Sequence, residues 1–455
     1  MEENEGLLKR ILKFFLRQEK VDSQQEGIDD LLAMSEHWNG YKREHAVRRL
    51  GILGNPAAIP KLLVSVNDWV PQVRSAARES LLKSLKNENA QAFIDNLPAL
   101  YHLENCARSD HSNMIASVID FLLKKENVAH ITAAIENNDS HIARIAVKLC
   151  IQNSLIEKQS LVSECLSHRD VVVRKIASNL LKDLSGDALE LSLNKAIHDP
   201  FMPIRREAFE IYLRVLPEKS VEIAHRFLFD KHSLIREIAV SQLLKNNIDV
   251  EPIFINVLSS TGQSALKVKG AILGLAHLHS TQSIPVVEKY ASNSLPCVRK
   301  ASLQAMIKLV GEDARQYLLD GLKDKSANVA KESSNLLSKL KLRPSANELL
   351  AVVNDSNYPH TLNICLSNAR MIDKWERVIF ILSLCRRLML EGHSCLDILG
   401  GELGKWVVSF DLPSWQPTSA QKEQILLQYP QCRLLFSEKY RRWFESVLRG
   451  FGIEM

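Results

Sequence analysis

At 455 residues the chain exceeds one ordinary domain of about 100–200 residues, so it holds several globular domains or one extended array. Hydrophobic residues make up 46% and charged residues 24%, which excludes a long disordered polymer, and the net charge of +5 falls short of a dedicated nucleic-acid binder. The eight cysteines form no C-x-x-C pair, a pattern that argues against a zinc site or disulfide frame and for free, buried thiols in a reducing, cytoplasmic setting.

The first residues, Met1-Glu2-Glu3-Asn4-Glu5, are acidic where a secretory signal would be basic. After them Leu7, Leu8, Ile11, Leu12, Phe15 and Leu16 fall on one side of a helix, with Lys9, Arg10, Lys13 and Arg17 elsewhere. This basic amphipathic helix is expected to cover the open apolar end of the first repeat, within an N-terminal cap of residues 1–40; contact with a membrane surface is the weaker reading. The apolar run Val378 to Cys385 is cut by Arg386 and Arg387, far below the roughly 20 residues that cross a bilayer.

From Tyr41 onward a pattern recurs: apolar, basic, two residues, a small apolar residue, and a leucine further on. It appears at Lys42-Arg43, Val73-Arg74, Ala143-Arg144, Val173-Arg174, Ile204-Arg205, Ile235-Arg236, Val268-Lys269 and Val298-Arg299, with a degenerate copy at Val329-Ala330. Successive basic positions from Arg144 to Arg299 lie 30, 31, 31, 33 and 30 residues apart. The gap of 70 between Arg74 and Arg144 leaves room for one diverged copy around Asn113 to Leu123. A period of about 31 holds two helices of roughly a dozen residues and two turns. In the copy starting at Val173, the residues Val173, Ile176, Ala177, Leu180, Leu181 and Leu184 lie on one face, preceded by a shorter apolar helix from Gln159 to Leu166. Such a pair buries its apolar faces only by stacking on its neighbours. The expected fold is therefore all-α: an α-solenoid, or superhelix, of about ten helix pairs over residues 41–343.

In seven of the copies the turn ahead of the basic position carries an acid or amide: Asp68, Asp139, Asp170, Asp199, Asp230, Asn293 and Asp324. These residues can cap the second helix and meet the arginine of their own or the next repeat, which predicts a structural ladder through Asp68, Arg74, Asp170, Arg174, Asp199, Arg205, Asp230, Arg236 and Arg299. The D…V-R-x-x-A-x-x-x-L pattern of Asp170–Leu181, Asp199–Tyr212 and Asp230–Leu243 resembles the HEAT family, in the short form named after phycobilisome lyases. The resemblance covers about Tyr41 to Leu342 and implies a curved stack of antiparallel helix pairs, of a kind that mostly binds proteins.

Enzymatic branches of that family are tested against residues. The paired His-Glu dipeptides of di-iron hydroxylases are absent. No residue set marks a tetrapyrrole pocket, so a lyase-like enzyme is a third reading. A DNA base-repair enzyme, or another nucleic-acid-binding protein, is the second; the repeats hold only Trp38 and Trp69 as tryptophans for base stacking. The preferred reading is a non-catalytic scaffold or adaptor, an inhibitor or assembly factor included, that binds a protein on its concave face and needs no cofactor or metal. Its candidate contact ridge is basic: Lys175, Arg206, Lys300 and Lys331 directly after the ladder position, and Lys83, Arg214, Lys245, Lys308 and Lys339 later in the same helices. A solvated face is the plainer reading of those residues.

Beyond Arg343-Pro344 the repeat signal stops, and residues 344–455 hold four of the six tryptophans. Helices are expected at Trp375–Leu390, at Ala420–Gln428 behind a Thr418/Gln421 capping box, and at Ser437–Gly450 with a Tyr440, Trp443, Phe444, Val447, Leu448, Phe451 stripe. The loop Asp411 to Pro417 offers Trp415 as a candidate aromatic contact. This region reads as a helical cap on the array.

Overall fold

A computed structural model of the chain describes residues 26–356, 358–390, 396–408 and 416–454. The Leu7–Leu16 segment and Trp415 lie outside them. The described residues are all-helical with no strand, and none of their helices is long and apolar enough to cross a membrane.

The chain divides into two compact units, Met1–Leu216 and Pro217–Met455. In the first, shorter helices pair with longer ones: Ile28–Met34 with Gly40–Leu53, Ile59–Ser65 with Pro71–Lys83, Lys158–Cys165 with Val171–Asn179, and Gly186–Ala196 with Met202–Val215. The second helices also pack on one another, Gly40–Leu53 on Pro71–Lys83 and Ser140–Gln152 on Val171–Asn179. The diverged copy forms the helix Ser112–Leu122. Pro71 starts its helix where a missing N–H costs nothing, while Asn39, Asp139 and Asp170 accept from free N–H groups at theirs. The Val171–Asn179 helix is shorter than its apolar stripe: it tightens into a 3-10 turn, Leu181–Asp183, that still buries Leu181.

In the second unit the same pairing joins Ser220–Phe227 to Ser233–Lys245, Glu251–Ser259 to Ala265–His277, and Arg315–Leu322 to Ala327–Lys339. It continues past Arg343-Pro344, where Ala346–Asn354 pairs with Pro359–Asn368 and the latter packs on Ala327–Lys339. One apolar core then runs from Leu318 to Ile453, so residues beyond 344 share their interior with the helices before them. Its aromatic centre is a set of edge-to-face contacts: Trp375 to Trp406 at 5.6 Å, Trp375 to Phe451 at 5.1 Å and Trp406 to Phe444 at 5.4 Å. The Trp406 indole donates to the Lys374 carbonyl at 2.7 Å. Most of the aromatic enrichment read from the sequence is therefore interior. Trp443 is the exception in its stripe, 47% exposed, while Phe444 and Leu448 are buried.

The helices foreseen here are Lys374–Leu390, Ser419–Cys432 with both halves of the Thr418/Gln421 capping box formed, and Glu438–Gly450. Leu396–Val408 was not foreseen. It carries Glu402, a buried carboxylate joined to Arg370, Arg377 and Lys405 at 2.9, 3.1 and 2.8 Å. Burial raises the pKa of this acid, but the hydrogen bonds from Lys405 and Arg370 outweigh it and leave the pKa below the ordinary value. Among the described cysteines, Cys150, Cys165, Cys365, Cys385 and Cys432 are buried free thiols, as their scatter implied, whereas Cys297 is exposed.

Candidate functional site

The turns and the faces of the second helices carry the charged residues singled out in the sequence. Arg43 shows how a rung of the ladder is built. Its Nε and Nη2 donate to the two oxygens of Asp68 at 2.8 Å each, while Nη1 reaches the carbonyls of His37 and Trp38 in its own turn. Arg174 repeats the arrangement with Asp199 at 2.6 and 3.3 Å, and Arg299 with Asp324 at 2.7 and 2.6 Å. Arg144 holds Asp170 through the same two nitrogens at 3.0 and 2.7 Å. Arg43, Arg174 and Arg299 thus clamp their own turns to the following ones, with a planar fork that matches a carboxylate, while Arg144 grips the following turn.

This corrects the expected pairing. The carboxylate meets the arginine of the preceding repeat, not that of its own or the next. From the turn of its own repeat the arginine takes main-chain carbonyls: Arg74 Nη1 donates to the Asp68 carbonyl at 2.8 Å, and Arg205 and Arg236 do the same at Asp199 and Asp230, each at 2.7 Å. The reason is reach. The carboxylate is already bound into its own turn, with Asp68 accepting from Val70, Asp170 from Val172 and Val173, Asp199 from Phe201, Asp230 from His232, and Asp324 from Ser326; of these only Asp170 is itself the N-cap of its helix.

The two roles of Asp170 show in its acidity. Hydrogen bonds from Arg144 first, and then from the Val173 and Val172 N–H groups, hold its carboxyl at about 2, against an opposing effect of burial. Because the folded-state pKa lies below the ordinary carboxylate value, this stabilisation is complete above about pH 4 and disappears as pH falls through about 2. Thermal melts across that window should show a steep fall in stability for the wild type and a shallower one for Asp170→Asn. Parallel curves would contradict the assignment.

The residues read as a basic ridge divide. Lys175 pairs with Glu207, Arg206 with Glu210 at 2.7 Å, and Lys300 with Glu332 at 3.0 Å. Lys331, Arg214, Lys245 and Lys308 are exposed and have no ion pair among the described residues. What the sequence suggested as a row of cations is, on its first three positions, a row of ion pairs. The carboxylates come from a neighbouring second helix for Lys175 and Lys300, and from the next turn of the same helix for Arg206.

Four successive second helices of the second unit, Ser233–Lys245, Ala265–His277, Pro296–Val310 and Ala327–Lys339, together line an open groove of about 320 Å³. Arg236, Lys308 and Lys339 line it with Glu237, His277 and Glu332, the last of these already engaged by Lys300. Gly274 makes room here. A Cβ on it would lie 2.4 Å from the Phe254 ring, so only glycine lets the two helices of this pair approach so closely. Sequence reading missed this groove because no motif marks it; the one available signal was the break in the turn series at Ser260 to Ser264, which holds no acid.

No family model matches this chain, and no curated protein matches it. Among solved structures it is similar to an engineered protein at 15% identity, over 76% of this chain and 98% of that one, with a TM-score of 0.20. A likeness that low carries no argument about fold or function.

Proposed function

We propose that the chain is a non-catalytic protein-binding scaffold, an α-solenoid of about ten HEAT-like helix pairs of roughly 31 residues, with residues 1–40 and 344–455 as its caps. The second-helix faces present the binding surface, which would be the concave side of such a stack. The observation that supports this over nucleic-acid binding is that the ridge is broken by ion pairs: Lys175, Arg206 and Lys300 are each held by a carboxylate, which leaves Lys331, Arg214, Lys245 and Lys308 as separate cations and not a continuous row. A phosphate backbone is bound by uncompensated cations that release counterions, and a mixed-charge face has few to offer. Alternating charge around an open groove suits a polypeptide, which supplies both signs and apolar side chains.

Affinity capture with the full chain, with and without nuclease, tests the reading. A stoichiometric protein partner that survives nuclease treatment is the expected result. Recovery of nucleic acid alone, released by salt, would overturn it and return the exposed cations to the centre of the account.

A further inference from the structure

The rung at Arg236 lacks its carboxylate. On the rungs of Arg43, Arg174 and Arg299 the acid stands 25 residues after the arginine, and on that of Arg144 it stands 26 after. The corresponding residues after Arg236 are Thr261 and Gly262, in a turn with no acidic side chain. Arg236 nevertheless takes the usual pose: Nη1 donates to the Asp230 carbonyl at 2.7 Å, as on the other rungs, and only 6% of the residue is exposed. Its Nε and Nη2, the atoms that grip the aspartate elsewhere, have no hydrogen-bond partner among the described residues. Burial draws the guanidinium below its ordinary pKa, opposed by the nearby charges of Asp230 and Glu237, neither of which bonds to those two donors. Arg74 also lacks a carboxylate, but it is only half-buried, so water can serve its donors.

The fork is unfilled in a residue only 6% exposed, yet its nitrogens are not closed off from solvent, so it is a site an oxyanion can reach and fill. The chain itself shows which one fits, because every filled rung holds a carboxylate on the same two nitrogens. The surroundings agree in charge: Arg236 lines the groove that carries Lys308 and Lys339, both exposed. The turn at Thr261 is exposed, and a Cβ at Gly262 would meet nothing within 4 Å, so an approaching side chain has room.

We infer that an acidic segment of a partner polypeptide lies in this groove and places a glutamate or aspartate carboxylate on Nε and Nη2 of Arg236, completing the rung from outside. The inference rests on the scaffold reading and names the chemistry of the partner at one position.

The test is a calorimetric titration of the full chain with hexaglutamate, using hexaglutamine and inorganic phosphate as separate arms. The deciding variant is Thr261→Asp, which supplies the carboxylate internally at the spacing of the other rungs, with Thr261→Asn as its uncharged control. Saturable hexaglutamate binding to the wild type and to Thr261→Asn, weakened about tenfold or more in Thr261→Asp, is the expected result, a factor in keeping with loss of one charge-assisted pair. A raised melting temperature for Thr261→Asp would show that the new acid fills the rung and does not merely disrupt the turn. No saturable binding by the wild type, or equal binding by Thr261→Asp, overturns the inference; so does binding of phosphate without hexaglutamate, which would mark a phosphoryl site. A partner captured equally by wild type and Thr261→Asp would overturn the rung while leaving the scaffold reading intact. Loss of all protein capture beside intact hexaglutamate binding would do the reverse.

Discussion

Asp324→Ala is expected to destabilise the second unit by about 3–5 kcal/mol, the usual cost of stranding one member of a buried ion pair. The Arg299 side chain is 5% exposed and that of Asp324 11%, so water cannot replace the lost carboxylate. Both oxygens are in use at 2.6 and 2.7 Å on Arg299, and Oδ1 also accepts from the Ser326 N–H at the start of the next helix. Removing the side chain therefore opens the turn ahead of one helix and leaves a guanidinium fork unfilled between two turns. At about 2–4 °C per kcal/mol for a unit of this size, the melting temperature should fall by roughly 6–20 °C. Tryptophan emission is a suitable readout, because Trp375 and Trp406 are fully buried in that unit and give the larger change on unfolding. A shift of one or two degrees would mean that the rung adds little beyond what solvent gives the separated charges. Asp324→Asn, which keeps an oxygen for the Ser326 N–H without the charge, should fall between the wild type and Asp324→Ala.

Gly51→Ala is expected to destabilise the first unit despite improving helix propensity. In an exposed helix the exchange gains about 1 kcal/mol. Gly51, however, sits in the Gly40–Leu53 helix where it meets Pro71–Lys83, and an added Cβ would lie 2.2 Å from Ser80 Oγ, 2.5 Å from its Cβ and 2.9 Å from its Cα. The last of these atoms is main chain, so no rotamer relieves the clash and one helix must move away from the other. Ser80 is also fixed in place, being buried with its hydroxyl donating to the Val47 carbonyl at 3.1 Å. Overpacking of this kind costs about 1–3 kcal/mol and here exceeds the propensity gain. Hydrogen exchange in the first unit should show faster opening of both helices, and Ser80→Gly in the same chain should restore part of the loss. A variant as stable as the wild type would show that the two helices tolerate a wider separation.

These two positions also mark how far the sequence can be read. Asp324 was visible, because its turn recurs at the spacing of a repeat and an acid near a helix start has a capping role whatever the fold. Its partner was not visible, since the pairing expected from the sequence was with the arginine of its own or the next repeat and its own repeat carries Ala330 there; only the packed turns show that the carboxylate reaches back 25 residues to Arg299. Gly51 carried no signal at all. A glycine inside a helical pattern reads as a tolerated weakness until the opposite helix is placed against it.

The same division runs through the surface. Lys175, Arg206 and Lys300 recur once per repeat and suggest a cationic row, but Glu207 and Glu332, which neutralise two of them, belong to helices about 30 residues further on. Local sequence cannot rank one side chain's distant partner against water.

The sequence alone determined that this protein is helical and repetitive, where its second helices lie, and that acids recur in the turns ahead of them. Those properties depend on residues within one or two turns of one another, through periodicity and capping. Only the tertiary structure decided that residues beyond 344 share one core with the helices before them, that the carboxylates close the ladder from the following repeat, and that the deeply buried Arg236 borders an open groove. Each of these depends on which side chains meet across sequence distances of 25 or more, and on what is left unmet there, and packing alone settles that.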